Sequence, residues 1–310
     1  MTIRYDHIGQ RLKAYRLAAA LTAEQVADRL GVSRAAVYRF EKGELIKIDT
    51  LERLAELLGV SLPSLLGVGV EYYPKAVGYF ERMRQMEADA EQVLAHFEPV
   101  SYLLTSDEYS GHLRLMLEEA VPDGLSPAAR RDALAEVEGA MAILDERKAA
   151  ARRRCPGIVS LIGLSEIERF LRIGLVGRFD LPREVLAERR QAARREVARI
   201  ADLMEQEPIG VQLGLVEDVL PNLTFQIFRL PDVTLLGVSP FRLGEQPNIR
   251  IGIATVTAAP EAVALYEKLV TDLWSRSLKG ARGASRLRGL VQRLGAEDPP
   301  GRARPAEDPP

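Results

Sequence analysis

Cysteine occurs once, at Cys155, so no internal disulfide can cross-link this fold, and a reducing compartment is the matching expectation. The residue follows Arg152, Arg153 and Arg154, whose cations would lower a thiol pKa, leaving both a redox-sensing and an incidental cysteine open. Histidine is scarce too. His7, His96 and His112 do not stand at metal-ligand spacing with one another or with Cys155, so neither a metal nor any other cofactor is expected. The GxSxG, P-loop and strand-linked GxGxxG patterns are absent, and Gly67-Val68-Gly69 lacks a third glycine. No catalytic residue is nominated. Long apolar runs are missing as well: no stretch approaches the roughly 18 apolar residues of a membrane span, and MTIRYDHIGQRLKAYRLA has no apolar signal-peptide core. The expectation is a soluble cytoplasmic protein with no membrane contact. Net charge is only −2, so any contact with a polyanion must come from a local patch.

What is present is an ordinary globular composition, 47% hydrophobic and 28% charged, in 310 residues, which is length for two or three units. The most informative stretch is residues 22–42, TAEQVADRLGVSRAAVYRFEK. Thr22 can cap a short helix whose apolar face is Val26, Ala27 and Leu30. Gly31 sits at a sharp turn, which a residue without a Cβ makes cheaply. Ser33 then caps a second helix with Val37 and Phe40 inward and Arg34, Ala35, Tyr38 and Arg39 outward. Two short helices, a tight turn and an exposed polar second helix form the helix-turn-helix pattern. Around it, residues 8–20 read as a helix with Ile8, Leu12, Tyr15 and Ala19 on its apolar stripe and Arg11, Lys13 and Arg16 outside. Asp49, with Glu52 three residues on, reads as the N-cap of a helix carrying Leu51, Leu54, Leu57 and Leu58. Ser61 caps a last short helix with Pro63 in its first turn.

Residues 8–67 resemble the XRE family of helix-turn-helix proteins, which includes the phage Cro and repressor proteins, through IGQRLKAYRLAAALTAEQVADRLGVSRAAVYRFEKGE and TLERLAELLGVSLPSLL. The resemblance implies that the second helix of the pair enters the major groove of double-stranded DNA. It implies that Ser33 meets phosphate, that Arg34, Ala35 and Arg39 stand where base edges are reached, with Tyr38 nearby, and that Arg16 and Glu41 tie the first and third helices. One position departs from the family: Ala23 stands where a phosphate-binding glutamine is common. The chemistry points the same way, since arginine can bind guanine O6 and N7 in bidentate fashion and Ala35 offers thymine a methyl contact. Lys42 and Lys47, just beyond, are placed for phosphate. A solvated helix face is the bland alternative for each residue singly.

Residues 68–75 read as a linker. Residues 76–97 read as one long helix, a dimerisation element or a helix packed on its own domain, and residues 127–153 as another long helix opened by Ser126. Tyr102, Tyr109, His112 and Arg114 could line a pocket, or serve as ordinary core and surface positions. From residue 157, β-branched segments divided by turn residues (157–164, 209–216, 223–230, 233–241 and 249–257) alternate with helical stretches at 165–174, 182–205 and 260–278, the pattern of a mixed sheet with helices. Residues 140–290 resemble the C-terminal domain of uncharacterised function found in many actinobacterial XRE regulators, which implies a regulatory domain without a defined ligand. Arginines 282, 286, 288 and 293 precede a proline- and charge-rich tail in which AEDPP occurs twice, a composition that cannot bury a core.

The fold class expected is therefore multidomain: an all-α five-helix domain (1–67), a linker (68–75), a helical dimerisation or connector region (76–153), an α+β effector or oligomerisation domain (154–280) and a disordered tail (281–310). The function expected is a DNA-binding transcriptional regulator, a repressor, acting as a homodimer on a pseudo-palindromic operator. A small-molecule or protein effector would act through the long half. A protein-interaction module, an antitoxin or adaptor whose long half grips a partner, is the alternative.

Overall fold

The apolar spacing of the first 66 residues folds into five helices: α1 (Tyr5–Ala18), α2 (Ala23–Leu30), α3 (Arg34–Glu41), α4 (Ile48–Leu58) and α5 (Leu62–Leu66). Leu12, Val26, Val37, Leu54 and Leu65 converge in their centre with no exposed surface, each such aliphatic side chain gaining about 1.5–3 kcal/mol from burial. The structure, a computed structural model, describes residues 5–44, 46–97, 99–154 and 156–297. Cys155 and its redox reading lie outside the described residues, as does the tail from residue 298 on.

Two local expectations are corrected in this region. α4 starts at Ile48 with Lys47 in the N-cap position and no side-chain cap bond, so Asp49 lies in the first turn. There its carboxylate meets the positive end of the helix dipole rather than an orphan amide. Ala19, expected on the apolar stripe, falls beyond the end of α1 and is exposed.

The rest of the chain builds one seven-stranded sheet from β1 (Val70–Tyr73), β2 (Gln92–His96), β3 (Gly157–Gly163), β4 (Val211–Val216), β5 (Thr224–Arg229), β6 (Thr234–Ser239) and β7 (Ala254–Thr257), in the order β1-β7-β6-β5-β2-β3-β4. β2, β3 and β4 run parallel and every other pairing is antiparallel. Parallel neighbours need long crossovers, and here α7 (Asp107–Glu119) and α8 (Pro127–Arg153) link β2 to β3, while α9 (Leu164–Ile173) and α10 (Arg183–Gln206) link β3 to β4. Alternation along the strands sends Val159, Leu161, Phe225 and Ile227 to a face covered by α11 (Pro260–Arg276) through Val263, Val270 and Leu273. Ile158, Ile162 and Phe228 face the other way, into a cluster that runs on through α6 (Ala76–Asp89) to Ile8, Leu12 and Tyr15 of α1.

Residues 76–97, expected as one helix, divide: α6 stops at Asp89 and residues 92–96 become β2, paired on both sides. A strand buried on both faces is a continuous apolar run that periodicity does not separate from a helix. Residues 68–75, expected as a linker, contain β1, which closes the sheet edge against β7. The sheet thus draws strands from both sides of residue 154. Of residues 249–257, only 254–257 are strand. Asn248 holds the preceding turn, its Nδ2 donating to Ile251 O at 2.7 Å and its Oδ1 accepting from Ile251 N at 3.0 Å. Residues 281–297, expected as the start of the disordered tail, belong to α12 (Gly280–Glu297), with Ala284, Leu287, Leu290 and Leu294 buried at helical spacing and Arg288 donating to Asp202 and Glu205 of α10.

The joint between the five helices and the sheet is a buried polar network. Arg11 donates to the Leu65 and Leu66 carbonyls at the end of α5 (2.8 and 2.7 Å) and lies 3.7 Å from Glu71. Glu71 accepts a bidentate pair from Arg82 (2.9 and 3.0 Å) and a hydrogen bond from the Tyr73 hydroxyl at 2.6 Å. Tyr15 stacks on Tyr73 with ring centroids 4.9 Å apart. Glu81 pairs with Lys13 and Arg84, both at 2.8 Å. α1 and α6 approach so closely that a Cβ on Gly78 would lie 2.5 Å from the Ala18 Cβ. Arg11 and Arg16, expected outside the stripe, are therefore both buried, because α1 is enclosed by its own domain on one side and by α6 on the other.

Candidate nucleic-acid interface

α2 is set by a capping box: Thr22 Oγ1 accepts from Gln25 N at 3.1 Å, and Gln25 Oε1 accepts from Thr22 N at 2.8 Å. Gly31 ends the helix at φ 71°, the left-handed conformation that a Cβ disfavours, and turns the chain into α3. Ser33 caps α3, its Oγ accepting from Ala36 N at 3.1 Å. Ala36 and Val37 anchor α3 in the core and Phe40 is half-buried. At the far end Arg16 Nε and Nη2 donate to Glu41 Oε1 and Oε2 (2.5 and 3.3 Å), while Arg16 Nη1 donates to Leu21 O at 2.9 Å. The pair carried over from the resemblance is thus formed, and one arginine holds the end of α1, the loop before α2 and the end of α3.

With its inner face held in this way, α3 turns Arg34, Ala35, Tyr38 and Arg39 to solvent, with Ser33 at its exposed N-terminus and Lys42 and Lys47 exposed just beyond. The structure brings all seven residues singled out in the sequence to the surface on and around one helix. No acidic residue occupies the first turn of α3, so the positive end of its dipole faces outward unopposed. Arg34 is stacked over the Tyr38 ring at 5.5 Å and donates to its hydroxyl at 3.2 Å. Arg39 is held differently: its Nε lies 3.0 Å from Glu44 Oε2, with both side chains more than half exposed. Glu44 escaped the sequence reading because it lies beyond the helix, outside the spacing at which helical pairs form. The capping box, by contrast, was legible as Thr22-x-x-Gln25. Ala23, where the family often places glutamine, is buried.

The other nominated cluster divides between core and half-buried positions. Tyr102 and Tyr109 are buried; the Tyr109 hydroxyl donates to Leu243 O at 2.6 Å and that of Tyr102 lies 3.0 Å from Ser110 Oγ. Arg114 points away to pair with Glu138, and His112 lies 3.6 Å from Glu108. Among the described residues no group of three or more His, Cys, Asp or Glu could hold a metal ion, and no helix is long and apolar enough to cross a membrane.

Residues 7–66 match the family model of a helix-turn-helix domain. The front of the chain is therefore a helix-turn-helix DNA-binding domain, fused to a helical and mixed-sheet body. The general class is a DNA-binding regulator. No curated protein and no solved structure matches the chain.

Proposed function

We propose that this protein is a cytoplasmic transcriptional regulator of the XRE type, a repressor that binds a pseudo-palindromic operator as a homodimer. Residues 1–67 are its DNA-binding unit and the body senses an effector or mediates self-association. One observation carries the reading: the single outward face of α3, where Arg34, Ala35, Tyr38 and Arg39 are exposed behind a capped N-terminus and flanked by Lys42 and Lys47. In the major groove Arg34 and Arg39 would read guanine edges, Ser33 and the lysines would meet phosphates, and two copies would engage half-sites about 34 Å apart. Exposed Tyr72, Ile251 and Ile253, on and beside the β1 edge of the sheet, favour self-association.

Genome-wide footprinting of the wild type beside an Arg34→Ala, Arg39→Ala variant at fixed salt tests the reading. Discrete, symmetric sites that the variant loses are expected. Diffuse, salt-sensitive binding unchanged in the variant would sink it and turn attention to protein partners of the body.

A further inference from the structure

A cleft of about 440 Å³ opens at the joint between the DNA-binding domain and the body, within the size range of small-molecule sites. Its walls come from four parts of the chain: Leu17 and Ala18 at the end of α1 with Ala20 just beyond it, Ala76 and Val77 at the start of α6, Ala135 and Gly139 on α8, and Ile249 between β6 and β7. Gly139 is the telling residue. It lies in the interior of α8, where glycine costs about 0.5–1 kcal/mol relative to alanine, yet a Cβ built on it meets nothing within 4 Å. Helix packing does not require a glycine there, and its effect is to leave room in the cleft.

The charge of the cleft selects its occupant. Lys75 and Glu136 neutralise each other at 2.7 Å. Asp132 lines the same cleft, is exposed, and has no ion pair or hydrogen bond among the described residues. An apolar interior with one uncompensated carboxylate at its mouth suits an apolar molecule carrying a cationic amine. We infer that this cleft is an effector site for a small hydrophobic ammonium compound, with the hydrocarbon against Ala135, Gly139 and Ile249 and the ammonium on Asp132.

The site is connected to α3 by named contacts. Ala20, one wall of the cleft, is held at φ 54°, a left-handed conformation uncommon for a residue with a Cβ. The next carbonyl, Leu21 O, accepts from Arg16, whose other donors hold Glu41 at the end of α3. A ligand bound against Ala20 therefore acts on the loop that shares Arg16 with the recognition helix. Linkage requires that DNA change ligand affinity by the same factor as ligand changes DNA affinity. This consequence rests on the regulator reading; the site itself does not.

The test uses the full chain and three probes that share a phenethyl group and differ in the charge of its polar end: phenethylammonium, phenethyl alcohol and hydrocinnamate. Calorimetry without DNA should show saturable one-to-one binding of the ammonium, about fivefold weaker binding of the alcohol, as for an exposed ion pair, and weaker binding still of the carboxylate. Asp132→Asn should bring the ammonium down to the level of the alcohol, and Gly139→Leu should abolish binding of all three. If Gly139→Leu does not fold, as judged by circular dichroism, Ala135→Leu on the exposed side of α8 fills the same cleft. No saturable binding, equal affinity for all three probes, or binding indifferent to the cleft-filling variants overturns the site. With the site intact, operator affinity unaltered by saturating phenethylammonium overturns its regulatory role. Because the first arm contains no DNA, failure of the regulator reading leaves it readable.

Discussion

Two sets of basic residues on the same small domain have opposite fates. Arg11 and Arg16 on α1, and Arg82 of α6, which shares Glu71 with Arg11, are buried: Arg16 is committed to Glu41, Arg82 to Glu71 and Arg11 to backbone carbonyls at 2.5–3.3 Å. Arg34 and Arg39 on α3 are exposed, one resting on Tyr38 and the other on Glu44. A buried guanidinium cannot release its carboxylate without leaving a charge stranded in a low-dielectric interior. An exposed one exchanges partners at little cost, since a surface ion pair contributes about 0.2–1 kcal/mol. In the first set Arg16 ties α1 to α3 within the domain, while Arg11 and Arg82 meet at Glu71 where the domain joins the body; the second set is open to a phosphate or a base edge.

The contrast is broken most severely at Glu71. Replacing it with alanine strands Arg82 and should cost about 3–5 kcal/mol in urea denaturation, while an Arg82→Met, Glu71→Met double variant should recover much of that loss. A loss below 1 kcal/mol in the single variant would mean that the buried network does not hold the joint.

Acid attacks the same joint at Glu81. Burial by itself would raise this carboxyl, but hydrogen bonds from Arg84 and Lys13 outweigh it and bring the pKa to about 2 from the ordinary 4.5. Because the folded pKa is the lower one, the carboxylate contributes stability that is fully present above about pH 4.5 and is lost as pH falls toward 2. The loss is on the order of 3 kcal/mol. Unfolding free energy measured across that window should slope in the wild type and be flatter in Glu81→Gln; equal slopes would refute the assignment.

At the exposed set the effects pass from stability to binding. Arg34→Ala should weaken operator binding by about 1–3 kcal/mol per half-site while the melting curve stays within about 0.5 kcal/mol of the wild type. A comparable loss of both would place Arg34 among the structural arginines. The smallest effect is expected at Glu44: its replacement by alanine frees Arg39 and should tighten DNA binding by up to about fivefold. Weaker binding in Glu44→Ala would show that the carboxylate positions Arg39 instead of competing for it.

Much of this was legible in the chain. Ser33, Gly31 and the spacing of Val26, Leu30 and Val37 predict the two helices and the turn, and the exposed positions of α3 follow from the same periodicity. Ser126-Pro127 marks the start of α8, and GIVSLIG marks β3. The misreadings share a cause. Arg11 and Arg16 carry the most polar of side chains, and only a partner from β1, α3 or α6 makes them interior. Residues 92–96 offer no period to read because both faces are covered. Residues 280–297 hold leucines at helical spacing, yet their arginines and the proline-rich stretch that follows disguised a helix docked on α10.

Local rules thus determined what depends on a few neighbouring residues: the caps, the turn at Gly31, the face of α3 and the identity of the DNA-binding domain. The tertiary structure alone decided which charges are buried, which strands join the sheet across residues 70 to 257, and where the cleft beside Gly139 opens. The physical reason is that propensity and capping act within a turn or two of helix, whereas the burial of a charge and the space beside a glycine are set by atoms that reach the site from distant parts of the chain.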